Sequence, residues 1–468
     1  MHTSFRGTCV AAAGLLLALA TCARSSLGVA AEALARAPSP GATARPQGVD
    51  WARFLGPSAD GKSPEKGLRT AWGPCGPPVV WHRKLGISYG IGSVAGGRFY
   101  QFDRHADQAR VTCLDAQRGD ELWRFEYPTD YEDLLGYNNG PRCSPVIDDD
   151  RVYLFGAEGM LHCLRADNGA LLWKVDTAKR FGVVQNFFGV GSTPVVEEDL
   201  LLVMVGGSPP ESQALGRMDL DRAVGNGTGI VAFDKRTGDV RYAITDELAS
   251  YATPQLATIG GRRWCFVFAR GGLVAFEPRS GKVDFHYPWR SRLRDSVNVS
   301  TPVVVGDEVF ICECYGPGAS LLRVRPGACE VLWRDGAQRD KVMQAHWNTP
   351  IHHQGYLYGS SGRHSSDAEL RCIQWATGKI VWSQPGLRRA SLMYVDGHFV
   401  CLGEDGVLRL IKAMPESYQE VARAVVRESP DEPPLVKPPA WAAPILSHGL
   451  LYIRGDDRLV CLRLLNQE

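Results

Sequence analysis

The sequence predicts an all-β fold, an eight-bladed β-propeller built from four-stranded antiparallel blades. Three observations predict it. A pattern of four short strands recurs about every fifty residues, each copy closes on an aromatic residue, and the two chain ends hold complementary parts of one copy. Four strands joined by tight turns are typical of one propeller blade. A content of 51 Gly and 12 Trp in 468 residues suits many short strands and turns.

Each copy opens with Ser or Thr followed by Pro and a pair of aliphatic residues, although three openings are degenerate. The eight openings begin at Ser93, Ser144, Thr193, Thr253, Thr301, Thr349, Ser391 and Ala443. Because Pro has no N–H, it is confined within sheets to edges and to the first residue of a strand. The motif therefore places the start of a buried strand at each position.

The second half of each copy has a polar turn that ends in Gly and a strand that closes on an aromatic residue. The turns end at Gly169, Gly238, Gly281 and Gly378. We expect short hairpins with positive φ at these glycines. The closing residues are Trp81, Trp123, Trp173, Trp333 and Trp382, with Tyr242 and Phe285 or Tyr287 standing in elsewhere. Such large rings on outer strands are expected to fasten each blade to the next.

The two ends of the chain predict how the ring closes. The last copy, from Pro444 to Leu462, has three strands and no closing aromatic residue. The early segment Pro78–Trp81 supplies the missing fourth strand. Joining them in one blade leaves no open sheet edge. In the seventh copy, residues 417–427 are predicted to form a turn and a strand rather than a helix.

The first fifty residues predict an exported protein. Residues 1–31 have the apolar stretch (9–23) and small-residue cleavage site of a signal peptide, residues 32–50 form a linker rich in Ala and Pro, and 51–468 form the propeller. No transmembrane helix is expected after cleavage, so the location is periplasmic or secreted. A lipid anchor at Cys22 stays open, although the preceding Thr fits that motif poorly.

Charge and motif content exclude several classes of function. With 52 basic and 51 acidic residues the chain has no basic field for nucleic acid. We assign no catalytic and no metal-binding residues, and interpret the neighbouring His352 and His353 as structural. Four cysteines occupy one equivalent position in separate copies and are interpreted as small core residues rather than disulfides. They are Cys113, Cys163, Cys372 and Cys461.

These copies resemble the quinoprotein-like (PQQ-like) β-propeller repeat family with its tryptophan docking motifs. The segment Trp51–Pro57 also resembles an N-terminal signature of exported bacterial members. The family includes dehydrogenases that hold pyrroloquinoline quinone (PQQ) and Ca²⁺ in the funnel, and non-enzymatic members such as the BamB-type lipoproteins of outer-membrane assembly.

The dehydrogenase branch implies an adjacent cysteine pair and a carboxylate cluster for Ca²⁺, and the sequence has neither. We therefore expect a non-catalytic module of the cell envelope that binds an unidentified protein or peptide partner, with no cofactor. The alternative is a PQQ- and Ca²⁺-dependent dehydrogenase of alcohols or sugars.

The place to expect a ligand is the end of the channel where the innermost strands start. The residues just before those starts are Asn138, Arg142, Asn186, Tyr251, Asn298, His346, Asn348 and Arg389. Their hydrogen-bonding side chains suit a polar cavity mouth. Arg142 and His346 favour an anionic or polar ligand; the alternative is that all eight satisfy loop backbone. The insertion 206–229 in the third copy is longer than ordinary loops, and its role is left open.

Overall fold

A computed structural model describes residues 48–466, apart from 185–186 and 294–295. The predicted signal peptide (1–31), Cys22 and most of the linker (32–50) lie outside the described residues, as does Asn186. The predicted fold is confirmed. Eight antiparallel sheets of four strands are present, one of which gains a short fifth strand in parallel.

Two strands near the start of the chain pair with blades formed much later. They are β1 (Lys62–Ser63) and β2 (Val79–Lys84). Blade 1 comprises β3 (Ser93–Ala95), β4 (Arg98–His105), β5 (Gln108–Asp115) and β6 (Glu121–Pro128). Blade 2 comprises β7 (Val146–Asp148), β8 (Arg151–Phe155), β9 (Met160–Arg165) and β10 (Leu171–Asp176).

Blades 3 to 5 continue in the same order. Blade 3 comprises β11 (Val195–Glu197), β12 (Leu200–Met204), β13 (Ile230–Asp234) and β14 (Val240–Ile244). Blade 4 comprises β15 (Gln255–Ile259), β16 (Arg262–Phe268), β17 (Gly272–Phe276) and β18 (Val283–Pro288). Blade 5 comprises β19 (Val303–Val305), β20 (Glu308–Cys312), β21 (Ala319–Arg325) and β22 (Ala328–Arg334).

The last three blades complete the ring. Blade 6 comprises β23 (Ile351–His353), β24 (Tyr356–Ser361), β25 (Glu369–Gln374) and β26 (Ile380–Pro385). Blade 7 comprises β27 (Ala390–Val395), β28 (His398–Gly403), β29 (Val407–Lys412) and β30 (Glu420–Val425). Blade 8 comprises β31 (Ile445–Ser447), β32 (Leu450–Arg454) and β33 (Arg458–Arg463), with β2 as its outer strand.

Helical structure is confined to connections. Helix α1 (Thr177–Phe181) follows blade 2, while α2 (Pro210–Gln213) and a 3₁₀ helix (Arg217–Arg222) lie in the insertion 206–229. Among the described residues, no helix is long and apolar enough to span a membrane.

The ring closes as the chain ends predict. Strand β2 runs antiparallel to β33, with Trp81 opposite Cys461 and Lys84 opposite Arg458. In blade 7, β30 occupies the segment where a turn and a strand are predicted, and it pairs with β29.

Aromatic residues of one blade lie on glycine turns of the next. The indole N–H of Trp123 donates to the Ala166 carbonyl at 3.2 Å, and a Cβ added at Gly169 would lie 2.5 Å from the Trp123 ring. Gly169 has a φ of 75°, where only glycine avoids strain. The same contact recurs for four further pairs. They are Trp81 on Gly119, Trp173 on Gly238, Tyr242 on Gly281 and Trp333 on Gly378.

Trp382 departs from this arrangement because blade 7 has no glycine at the equivalent turn. Its ring instead contacts Tyr418 edge-on, with ring centroids 6.0 Å apart. Its indole N–H is buried with no partner among the described residues. The Cys at the repeated core position lies opposite the closing Trp in four blades, and each thiol is free. The pairs are Cys113–Trp123, Cys163–Trp173, Cys372–Trp382 and Cys461–Trp81.

The opening Ser/Thr residues bond the blades together around the channel. The backbone N–H of Ser144 donates to Thr193 Oγ1, and that of Thr193 donates to Thr253 Oγ1, both at 3.3 Å. Thr253 donates in the same way to Thr301, and Thr301 to Thr349, both at 3.2 Å. These hydroxyls satisfy buried N–H groups that lie beyond each blade's own ladder. We call this row the threonine girdle.

The segment before β2 enters the channel. The backbone of Trp51 pairs with that of Val94 on β3, and the Ala52 carbonyl accepts the N–H of Ile147 on β7. The chain then turns, and β1 pairs in parallel with β27. Gly56 at the turn has a φ of 80° and lies against the Trp51 ring, where a Cβ would be 2.7 Å from Cε2. Residues 51–63, here called the plug, therefore lie against the inner strands of blades 1, 2 and 7.

Candidate functional site

A cavity of about 670 Å³ lies at the end of the channel where the innermost strands start. We call it the bowl. Phe54 and Leu55 of the plug line its base, and loops that precede most of the blades form its wall. Five of the predicted residues line it. They are Arg142, Tyr251, His346, Asn348 and Arg389.

Two of the predicted asparagines do not line the bowl, because loop backbone takes their side chains. Asn298 donates from Nδ2 to the carbonyls of Ala269 (2.8 Å) and Trp289 (3.2 Å). Asn138 Oδ1 accepts the N–H of Gly140 at 2.7 Å. Neither asparagine is among the residues that line the bowl.

One side of the bowl is a continuous row of rings, which we call the aromatic ladder. The ring centroids of Tyr89 and Trp441 lie 4.8 Å apart, and those of Trp441 and Trp347 4.9 Å apart. The row continues through His346 (5.2 Å from Trp347) to Tyr315 (5.7 Å further). These spacings match favourable aromatic pairs. Successive rings are tilted by 38° to 64° to one another, so the ladder offers a ligand ring faces and edges rather than one flat surface.

A second group of rings lies elsewhere on the bowl wall. Phe188 lies 5.8 Å from Tyr137 and 5.7 Å from Tyr251 between ring centroids. The Tyr251 hydroxyl accepts the Phe188 N–H at 2.7 Å, which fixes this loop. Tyr137 is 63% exposed and is the most accessible aromatic residue of the rim.

Arg389 and Glu404 form a tight ion pair behind the ladder. Arg389 Nη2 and Nε lie 2.6 Å and 3.0 Å from Glu404 Oε2, which also accepts the Trp441 indole N–H at 3.1 Å. Burial alone would raise the pKa of Glu404, but hydrogen bonds from Arg389, Ser365 and Trp441 outweigh it and lower the pKa. The guanidinium lies 4.3 Å from the centroid of Trp347. Both charges are thus used within the wall.

His346 is held neutral with both ring nitrogens occupied. Its Nδ1 lies 3.1 Å from Arg389 Nη1, and because a guanidinium only donates, Nδ1 must accept. Nε2 therefore carries the proton and donates to the Tyr315 hydroxyl at 3.1 Å. Burial lowers the pKa of His346 to about 3, and the positive charges of Arg389 and Arg363 add to this effect. No lone pair of the imidazole is free for a metal ion or a proton.

Arg142 fastens its own loop. Its Nη2 lies 2.6 Å from Asp133 Oδ2 and donates to the Asn138 carbonyl at 2.6 Å, while Nη1 contacts the Gly140 carbonyl closely. The Asp133 side chain is fully buried. The charge of Arg142 is therefore matched inside the loop and is not available to a ligand.

Arg363 is different from the other two arginines of the bowl. It is half-buried, its guanidinium lies 4.7 Å from the centroid of Tyr315, and no carboxylate of the described chain is within 4.0 Å of it. Thr193, Thr253 and Thr349 of the girdle also line the bowl. Each hydroxyl accepts a backbone N–H and keeps its own hydrogen as a donor. The wall thus retains a positive charge and several donors.

Sequence reasoning missed four groups that define this site, namely Trp347, Trp441, Arg363 and Glu404. Trp347 lies between His346 and Asn348, which were selected because they precede a strand start. Its large apolar side chain is the signal that could have identified it. Trp441 follows the proline-rich connection before blade 8, where no repeat position marks it. Arg363 and Glu404 lie in irregular segments, and their position near the channel depends on how all the blades are arranged in the ring.

The residues around the bowl do not fit Ca²⁺. This ion takes six to eight oxygen ligands. Within the described ranges, no group of three His, Cys, Asp or Glu side chains is placed to hold a metal ion. Asp133 and Glu404, whose carboxylates lie against two arginines of the bowl wall, are already bonded to them.

The fold and the bowl define a PQQ-like β-propeller with a cavity at one end of its channel. A family model described as "Outer membrane protein assembly factor BamB" matches residues 107–384, more than half of the sequence, and the chain belongs to this family. The resemblance predicted from the repeats is confirmed. No curated protein matches this chain in sequence.

Solved structures show the same fold at low sequence identity. BamB from Moraxella catarrhalis is 14% identical with a TM-score of 0.54, covering 83% of this chain and 98% of that one. A quinohemoprotein alcohol dehydrogenase from Comamonas testosteroni is 12% identical with a TM-score of 0.60, covering 90% and 81%. The computationally designed Ika8 protein is 9% identical with a TM-score of 0.51, covering 82% and 98%.

Proposed function

We propose that this chain is an exported, non-catalytic propeller of the cell envelope that binds a partner protein in the bowl. One observation carries the proposal: three ionisable side chains of the wall are already bonded within it, which leaves the aromatic rings and the guanidinium of Arg363 to a ligand. The three are Arg142 with Asp133, Arg389 with Glu404, and His346 with Arg389 and Tyr315. A general acid or base needs a proton site within reach of substrate and a pKa near the working pH. His346 meets neither requirement.

The envelope location rests on two supports. The sequence predicts a signal peptide over residues 1–31, and the family model carries the description of an outer-membrane assembly factor. A partner protein is the kind of ligand that a family of this description suggests.

The alternative function, a PQQ-dependent dehydrogenase, has one observation in its favour. The aromatic ladder offers ring faces near Arg363, and a planar ring with carboxylates would suit a ring face and the guanidinium. Among the residues that the structure describes, no set of side chains around the bowl is placed to hold Ca²⁺, which speaks against this alternative.

Calorimetric titration of the mature protein with PQQ, with and without Ca²⁺, separates the two functions. The proposal expects no Ca²⁺-dependent binding. Saturable binding in the micromolar range that requires Ca²⁺ would replace the proposal with the dehydrogenase and direct assays to alcohols and sugars.

Site-specific photocrosslinking in the native envelope tests the partner directly. A photoreactive amino acid in place of the exposed rim residue Tyr137 should give a discrete protein adduct. The same amino acid in place of Val331, exposed on the outer strand of blade 5, is the control and should not give that adduct. Trp347→Ala should abolish the adduct at position 137. An adduct that persists in Trp347→Ala, or no adduct at all, would count against binding in the bowl.

A further inference from the structure

The plug restricts how a polypeptide can enter the bowl. Phe54 and Leu55 line the base of the cavity, and the backbone on either side is bonded to inner strands of blades 1, 2 and 7. The plug therefore lies in the path of a chain that enters from the bowl. We expect a chain end or a tight loop to reach the base, rather than a chain that passes through the channel.

The charges of the wall distinguish between the two ends of a chain. An amino terminus carries a positive charge and needs acceptors, but Asp133 and Glu404 are bonded to Arg142 and Arg389. A carboxyl terminus needs donors and a cation. Arg363 has no carboxylate partner in the described chain, and the girdle hydroxyls at the base keep their hydrogens. Guanidinium–carboxylate hydrogen bonds are among the strong ones in proteins.

The rings determine which side chain would accompany that carboxylate. Arg363 lies over Tyr315, the last ring of the aromatic ladder, so a group bound to its guanidinium lies next to the ladder. Aromatic residues bury the most apolar area per side chain and pair well with other rings. A cavity of about 670 Å³ is in the range that encloses a drug-sized ligand, which corresponds to a few residues.

We infer that the bowl binds the C-terminal end of a partner polypeptide, with the terminal carboxylate on Arg363 and an aromatic last side chain against the aromatic ladder. This inference rests on the proposed function, because it names the part of the partner that the bowl takes.

Fluorescence anisotropy with synthetic peptides tests it. The probe is the pentapeptide Ser-Gly-Ser-Gly-Phe with fluorescein on its N-terminus, prepared once as the free acid and once as the C-terminal amide. The acid should bind at least about 10-fold more tightly, because the amide loses the charge-assisted bonds to Arg363. A version of the acid that ends in Lys should bind more weakly than the one that ends in Phe.

Two variants assign the preference to its residue. Arg363→Gln should reduce the affinity for the acid to that for the amide and leave the amide unchanged, which also shows that the variant is folded. Arg334→Gln makes the same charge change on the exposed outer strand of blade 5 and should keep the preference. Trp347→Ala should weaken both peptides alike.

The outcomes separate this inference from the proposed function. Equal affinity for acid and amide, or no binding of either up to about 1 mM, overturns the inference. If the adduct from position 137 still forms and still depends on Trp347, the proposed function stands without it. If the adduct is also absent, both fail.

Discussion

A substitution at Gly238 measures how much the contact between Trp173 of blade 2 and the glycine turn of blade 3 contributes to stability. The φ of Gly238 is 77°, and a Cβ added there would lie 2.8 Å from Cε3 of Trp173. Gly261 has nearly the same φ, 76°, but nothing lies within 4 Å of an added Cβ. Gly261→Ala therefore measures the backbone cost alone, while Gly238→Ala adds displacement of the ring.

The expected magnitudes follow from these distances. A left-handed backbone costs an alanine about 1–2 kcal/mol. Carbon atoms pack best at about 3.5–4.0 Å, so the Trp173 ring must move by roughly 1 Å. Its indole N–H is already 3.3 Å from the Lys235 carbonyl, so the shift breaks that bond, at about 0.5–1.5 kcal/mol, and loosens the packing. We expect Gly238→Ala to cost about 3 kcal/mol and Gly261→Ala about 1.5 kcal/mol.

Chemical denaturation followed by tryptophan fluorescence and circular dichroism measures both variants. Trp173→Ala alone should cost about 3 kcal/mol. In that background the ring is gone, so Gly238→Ala should cost no more than Gly261→Ala. If the two glycine variants differ by less than about 0.5 kcal/mol with Trp173 present, the ring does not dock on Gly238 with measurable energy.

Two further predictions concern the girdle and a buried imidazole. Thr301→Val removes the oxygen that accepts the Thr253 N–H and should lower the free energy of unfolding in urea by about 1–3 kcal/mol. Thr301→Ser keeps the hydroxyl and should have a stability near that of the wild type. Equal losses of stability in both variants would show that the hydroxyl does not contribute. Burial lowers the pKa of His162 from 6.5 to about 4, so between these values the unfolded chain binds a proton that the folded chain does not. Stability should therefore fall as pH drops from 6.5 towards 4, by at most about 1.4 kcal/mol per pH unit from this group. His162 lies against the ring of Tyr127, and His162→Phe should reduce the loss of stability between pH 6.5 and 4. An unchanged dependence of stability on pH would contradict this role of His162.

The fold could be predicted because the same local signals recur at the same spacing. Openings such as Thr193-Pro194 mark strand starts, and glycines such as Gly169 mark turns with positive φ. The repeat does not predict which residue of the next blade each of these residues contacts. The role of the threonine hydroxyls was missed for this reason, since each accepts an N–H that is about fifty or sixty residues away in sequence, as between Thr193 and Thr253.

The site was less predictable than the fold. The expectation that a ligand binds where the innermost strands start correctly selected Arg142, His346 and Arg389 as residues that line the bowl. It could not predict that Arg142 is paired with Asp133, or that Arg389 is bonded to both Glu404 and His346. The segment Trp51–Pro57 was recognised as a signature, yet its place in the channel depends on backbone contacts with strands far along the chain. Arg363, which has no carboxylate partner among the described residues, occupies no repeat position.

The closure of the ring has a consequence for the newly made chain. Lys84 on β2 pairs with Arg458 on β33, 374 positions later (84 to 458). At a synthesis rate of about 5–20 residues per second, the ribosome needs roughly 20–75 s to cover that distance. For all of this time the first strand of the ring has an unsatisfied edge, and Trp81 has no partner strand. A truncated messenger RNA that ends before β33 would therefore yield a chain in which the edge of β2 stays unpaired. Exposed strand edges promote aggregation, so we expect chaperones and proteases to act on such a chain.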